Sequence, residues 1–445
     1  MSRKLGFRFM AILAIVMLLA ASGCGRQAEA PQPQKEAKAP VELTFYYPVA
    51  VGGPITKLIE GMANDFMRAN PDIKVKPVFA GNYSDTLTKV QTAIQGGQSP
   101  EVAVLLSTDL YTLVDQDFVV PLDGFIQKDT DGQAYLKDFY PAFMANSQAG
   151  GKTWGMPFQR STVVLYWNKD LFKAAGLDPD KPPKTWDELV ADGKRLTKPD
   201  GSVWGLKIPS DGYPYWLLQG FAMQAGKNIC DDTGTKVFFN SPENIRGLEF
   251  FLSLSRDDKI MPTGVIQWAA VPTDFVGGKA AMIFHTTGSL TNISQNAKFP
   301  FGVAFLPAGP KGYGTPTGGG NFYIFKQVSP EKQQAAWKFV RWMTHPENLA
   351  KWSIGTGYVA PRQSSYDTPV MKDFVAKNPN FLVARDQLQY AQRELSTHRN
   401  PEIYKAYNTK LQDIVTGKLG VKEAIDAAQK EAEQILSGAK SSSGY

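Results

Sequence analysis

Between Val41 and Tyr47 the chain alternates, with Val41, Leu43, Phe45 and Tyr47 on one side, which predicts a strand. From Pro54 the period changes. Ile55, Leu58, Ile59, Met62 and Phe66 fall on one face of a helix that Asn70-Pro71 stops. Ile73 and Val75 then alternate with Lys74 and Lys76 in a second strand ending at Phe79. A helix near Tyr83 to Ile94 and a strand at Val102 to Leu106 complete a strand–helix–strand–helix–strand run. That unit builds a mostly parallel sheet covered by helices. Ligands on such sheets sit beyond the carboxyl ends of the strands, here the loops at Tyr47–Pro54, Gly81–Tyr83 and Ser107–Asp109.

The pattern starts again near Ser161. Val163 to Trp167 is a strongly apolar strand, Asn168 to Gly176 a short helix, and Thr185 caps a further helix with Glu188 completing a capping box. Ala280 to Phe284 and Asn321 to Phe325 read as strands, preceded by a glycine-rich turn over Gly309–Gly320. From Pro330 the chain is mostly helical, with Trp337, Val340, Trp342, Met343 and the Ile425–Ile435 face as core. Some 405 residues of body exceed what a single core serves, so two domains are expected.

The first residues add an address. Arg3, Lys4 and Arg8 flank an apolar run from Phe9 to Ala21, too short to span a bilayer, and Ser22-Gly23-Cys24 follows at once. This reads as an export signal ending in a lipidation site, with Cys24 the lipidated N-terminus of the mature chain. Gly25 to Pro40 lacks large apolar residues and reads as a disordered tether. Loss of Arg3, Lys4 and Arg8 takes the formal charge from +6 to +3, and no basic run suggests nucleic acid.

Candidate chemistry is sparse. His285, His345 and His398 are the only histidines, and none has metal-ligand spacing, so neither metal nor cofactor is expected. Cys230, beside Asp231 and Asp232, reads as an inert thiol. There is no nucleophile elbow and no phosphate loop. Nine Trp, 17 Tyr and 26 Phe exceed core needs and suit a ligand cleft. The residues speak for binding rather than catalysis.

Four motifs then carry a resemblance: Tyr166–Leu189, with Trp167-Asn168-Lys169-Asp170 and Pro182-Pro183-Lys184-Thr185-Trp186; Asn70-Pro71-Asp72; Gly278–Ile283; and Gly357–Pro361. Over residues 41 to 437 the chain resembles extracellular solute-binding proteins of carbohydrate-type ABC importers (family 1). Ala80–Tyr83, Gly288–Leu290 and Gly318–Gly320 lean towards the sn-glycerol-3-phosphate-binding branch. The resemblance implies a two-lobed, type II (maltose-binding-protein-like) α/β fold with three inter-domain crossings, near Pro157–Ser161, Phe284–Thr287 and Gly320–Tyr323. Residues 41–157 and 286–321 would form lobe 1, residues 158–285 and 322–437 lobe 2, and 438–445 a frayed tail. A monomer would close on a small polar solute and deliver it to the ABC permease, touching the membrane only through its lipid.

The resemblance also implies a site. Tyr83, Ser161, Thr287, Gly288, Ser289, Gly319 and Tyr358 fall on cleft positions of that branch, and Tyr215 on an aromatic platform with Tyr213 nearby. Tyr47 and Asp109 are added from loop position. Three departures bear on the ligand. Ser107 stands where the branch has a Glu, Gly212 where it has a Trp, and its phosphate-facing Arg, expected near residue 396, has Arg399 as nearest counterpart. Arg160 offers a fork suited to phosphate or carboxylate, or else pairs with an acid. The expected ligand is sn-glycerol 3-phosphate or a glycerophosphodiester, with a mono- or oligosaccharide such as a maltose-type sugar as alternative. An exported glycoside hydrolase and a surface adhesin are remoter readings.

Overall fold

The computed structural model describes residues 39–439, so the expected signal, Cys24 and most of the tether lie outside the described residues. Eleven strands follow in order: β1 Val41–Tyr47, β2 Ile73–Phe79, β3 Val102–Leu106, β4 Gln148–Ala149, β5 Lys152–Thr153, β6 Met156–Asn168, β7 Trp204–Lys207, β8 Ala280–Thr286, β9 Phe301–Ala304, β10 Thr315–Ile324 and β11 Ala391–Gln392. The main sheet runs β2-β1-β3-β10-β6-β8-β7, with β9 beside β6 and β11 beside β10. β1 lies parallel to β2 and β3, as the strand–helix run requires. The helix Ile55–Ala69 buries Ile55, Ile59, Met62 and Phe66, the stripe its period marks. Phe66 sits 5.1 Å from the Phe339 ring, and burial of such a side chain contributes about 1.5–3 kcal/mol.

β6 joins the two lobes. Met156–Thr162 pair with β10, whereas Val163–Asn168 pair with β8 and β9. The strand changes partners at Thr162/Val163, all thirteen residues are buried, and the lobes are halves of one compact unit beginning at Pro40. The sequence marks only Val163–Trp167, because Gln159, Arg160 and Ser161 are polar and hide the strand's first half. The glycine-rich turn also needs correcting. Thr315–Gly320 is already β10, and these glycines pair with Gln159–Ser161 and Leu106.

The lobe boundaries differ from expectation. Phe322–Ile324 pair with β3, the helix Pro330–Met343 packs on β1, and Pro346–Thr356 packs on Ile55–Ala69, so this stretch belongs with lobe 1. β9 joins lobe 2 through β6. The chain returns to lobe 2 at Asn380–Gln387, which packs on β6 and β9, and stays there in Asn400–Val415, which packs on Pro214–Ala225. Thr185 does cap its helix, accepting the Glu188 N–H at 3.2 Å, but the Glu188 carboxylate takes the Lys184 N–H instead of closing the box.

Candidate functional site

The loops after β1, β2 and β3 meet the ends of β6, β8 and β10 around a cavity that is partly open to solvent. Lobe 1 contributes Ala50, Val51, Tyr83 and Leu106, as strand-end logic anticipates. Ser161, Tyr213, Trp216, Trp268, Thr286, Gly319, Tyr358 and Glu394 complete the wall.

Several wall groups are held by identifiable bonds. Tyr83 opens a helix capped reciprocally by Asn82 and Asp85, and its hydroxyl donates to Gln159 Oε1 at 2.8 Å. Gly319 has φ +92°, and a Cβ there would lie 1.8 Å from the Gln159 carbonyl oxygen, so only glycine fits. Trp216 Nε1 donates to the Thr317 carbonyl at 2.8 Å. Trp268 Nε1 donates to the Ala50 carbonyl at 3.1 Å, tying lobe 2 to lobe 1 at the cavity wall. Its ring lies 4.1 Å from His285 and 5.1 Å from Tyr213.

Glu394 is the one ionisable acid in the wall. Its Oε1 accepts the Tyr215 hydroxyl at 2.8 Å, while its N–H donates to Asn146 Oδ1 and its carbonyl accepts from Asn146 Nδ2. Oε2 has no protein partner. Burial pushes this carboxyl up to about 8, against the Tyr215 hydrogen bond and the Arg160 charge. Burial likewise pushes Asp109 up to about 7.

Five expected residues stand in the wall: Tyr83, Ser161, Tyr213, Gly319 and Tyr358. The others lie outside it, for distinct reasons. Tyr47 packs between Phe45 and Phe79. Ser107 and Asp109 are buried behind Leu106, with Ser107 Oγ and Asp109 Oδ2 unpartnered. Strand alternation turns Arg160 away from the face that carries Ser161. Arg160 is fully buried, donates to Asn321 Oδ1 at 3.0 Å, and lies 5.0 Å from the Phe143 ring. Burial pushes it down to about 10. Tyr215 stacks on Tyr404 at 4.1 Å, behind Glu394.

The turn Thr287–Ser289 buttresses wall residues instead of forming the wall. Thr287 Oγ1 donates to the Gly357 carbonyl, and a Cβ on Gly288 would meet the Tyr358 ring at 2.8 Å. Ser289 Oγ bonds His285 Nδ1, whose Nε2 faces the Trp268 carbonyl. Arg399 is half-exposed and bonded through Nε and Nη2 to Glu402 Oε1, away from the cavity. Ser396, where a cation is expected, bonds the Thr108 carbonyl. No Lys, Arg or His lines the cavity. Sequence reasoning missed Ala50, Val51, Leu106, Trp216, Trp268, Thr286 and Glu394. Ala50, Val51 and Leu106 border the strand-end loops and could have been found. Glu394 carries no local signal, since Asn146 fixes it from 248 residues away.

Among the described residues no group of three or more His, Cys, Asp or Glu could hold a metal ion, and no helix is long and apolar enough to cross a membrane. Cys230 is buried, and burial pushes its thiol up to about 12.

Two α/β lobes around an aromatic-walled cavity with convergent hydroxyl and backbone groups define a solute-binding protein. The chain belongs to the bacterial extracellular solute-binding proteins, whose family model matches residues 61–382. It is similar to the sn-glycerol-3-phosphate-binding periplasmic protein UgpB of Shigella dysenteriae, 28% identical over 90% of this chain and 93% of that one. Among solved structures it resembles UgpB from Mycobacterium tuberculosis in complex with glycerophosphocholine (TM-score 0.77, 24% identity, 91% and 100% of the two chains). It also resembles the cyclic α-maltosyl-1,6-maltose binding protein of Arthrobacter globiformis (TM-score 0.76, 24% identity, 90% and 100%). The chain is therefore an exported receptor that takes a small polar solute for an ABC importer, not an enzyme.

Proposed function

We propose that this protein is a monomer, lipidated at Cys24 and held to the outer face of the cell membrane, that captures a glycerophosphodiester and presents it to its permease as the lobes close. The observation that carries this reading is the cavity wall: Tyr83, Tyr213, Trp216, Trp268 and Tyr358 surround Ser161, Thr286 and Gly319, without a lysine or arginine. Aromatic faces suit a quaternary ammonium head. The glycerophosphocholine of the mycobacterial relative is such a molecule. sn-Glycerol 3-phosphate is the weaker of the two expected ligands, because no Lys, Arg or His lines the cavity to offset a dianion. A monosaccharide is the second reading, favoured by the Trp216 and Trp268 rings beside hydroxyl partners.

Isothermal titration of the full chain with glycerophosphocholine, sn-glycerol 3-phosphate, glucose and maltose tests this. Saturable one-to-one binding, tightest for glycerophosphocholine and with every solute recovered intact, is expected. Tightest binding of maltose or of sn-glycerol 3-phosphate would overturn the ligand assignment.

A further inference from the structure

We propose that Glu394 is the specificity-determining group of this cavity: once ionised, its free Oε2 accepts from ligand hydroxyls or faces a ligand cation, and it disfavours ligands that present a phosphomonoester to that wall. The inference rests on the receptor reading above and names how the site sorts its solutes.

Three observations converge on it. Glu394 lines the cavity yet is 2% exposed, so little water solvates its carboxylate. Oε1 is satisfied by Tyr215 and Oε2 by nothing in the protein, which leaves one oxygen for a ligand, a donor while protonated and an acceptor once ionised. The group is also fixed in place. Asn146 holds its backbone on both sides at 2.9 and 3.1 Å, and Tyr215 is stacked on Tyr404. A recognition group held this way loses little freedom on binding.

The charges around it leave the acid without a bonded counter-ion. Arg160 on β6 donates to Asn321 and makes no hydrogen bond to Glu394. Tyr215 and Tyr213, at the start of Pro214–Ala225, Tyr404 from Asn400–Val415, and Asp109 after β3 are the remaining titratable groups whose charges reach it. A carboxylate so placed gains from a hydroxyl-bearing or cationic ligand the partner it lacks, and loses from an anion. Burial keeps the carboxyl protonated below about pH 8 in the empty cavity. Uptake of a cationic head therefore drives the proton into the buffer, and affinity rises with pH. An anion does the reverse.

Glycerophosphocholine is the probe, since neither its diester nor its ammonium titrates between pH 6 and 9. Titration of the full-length wild type, Glu394→Gln and Tyr215→Phe in two buffers of different ionisation heat gives affinity and proton release together. The wild type should bind at least tenfold more tightly at pH 8 than at pH 6, releasing a proton. Glu394→Gln, which keeps an oxygen for Tyr215, should flatten that profile. At pH 8 it should also improve sn-glycerol 3-phosphate relative to glycerophosphocholine by tenfold or more. Tyr215→Phe should move the profile to higher pH, because the lost hydrogen bond favours the ionised acid. A pH-independent wild-type affinity, or a profile that survives in Glu394→Gln, overturns the role of Glu394 while leaving the receptor reading intact. A folded wild type that binds neither probe overturns the glycerophosphodiester reading and this inference with it.

Discussion

Trp268→Phe removes one hydrogen bond between the lobes and little else. The indole N–H donates to the Ala50 carbonyl at 3.1 Å, while the ring face lies against His285 and Tyr213 at 4.1 and 5.1 Å. A phenyl ring keeps most of those face contacts. Ala50 is only partly buried, so its carbonyl can take water once the donor is gone. The loss is therefore the net worth of a hydrogen bond, about 1 kcal/mol, and not the full penalty of an orphaned buried acceptor. If the bond forms on closure, about 1 kcal/mol off the closed state weakens apparent affinity roughly fivefold. Most of that should fall on the dissociation rate, because the contact acts after capture. Trp268→Ala removes the ring as well and should cost about 2 kcal/mol or more, upwards of roughly thirtyfold. Stopped-flow dissociation of glycerophosphocholine, followed by Trp216 fluorescence, reads both variants. A Trp268→Phe rate within twofold of wild type would refute the idea that this bond holds the lobes together.

Other substitutions have signs fixed by the same geometry. Gly319→Ala places a Cβ 1.8 Å from the Gln159 carbonyl at a left-handed φ, so the β6–β10 junction must give way. A loss of about 3 kcal/mol or more is expected in thermal melts. Glu394→Gln should stabilise the ligand-free protein at alkaline pH. The folded acid titrates near 8 against an ordinary 4.5, so the unfolded chain holds fewer protons between those values and wild-type stability falls as pH rises through them. From pH 5 to 8 the variant should gain about 3 kcal/mol on the wild type in urea unfolding. Arg399→Ala, expected from the resemblance to weaken an anionic ligand, should leave every affinity within twofold, since Arg399 is bonded to Glu402 outside the cavity.

Much of the frame was readable because periodicity reports burial directly. The Ile55–Phe66 stripe and the Val41–Tyr47 alternation fixed two elements and with them the loops that reach the cavity. β6 shows where that logic stops. Its first half is buried but polar, since Gln159 bonds Tyr83 and Arg160 bonds Asn321, and no hydropathy pattern separates such a strand from a loop. Tyr83 and Tyr358, named from the resemblance, line the cavity, yet one residue of strand parity separates Ser161 in the wall from Arg160 behind it. Thr287, Gly288 and Ser289 form a turn behind the wall, where they seat Tyr358 and Trp268 through a close approach and His285. Glu394 lay beyond reach, as its position follows from Asn146 and Tyr215, both distant in sequence.

The most direct test follows Trp216 and Trp268, which both line the cavity. Titrating the full chain with glycerophosphocholine while recording tryptophan emission should give a saturable one-to-one change, with the solute recovered chemically unaltered. An emission spectrum indifferent to saturating solute, or recovery of the solute as free choline and glycerol phosphate, would contradict the account.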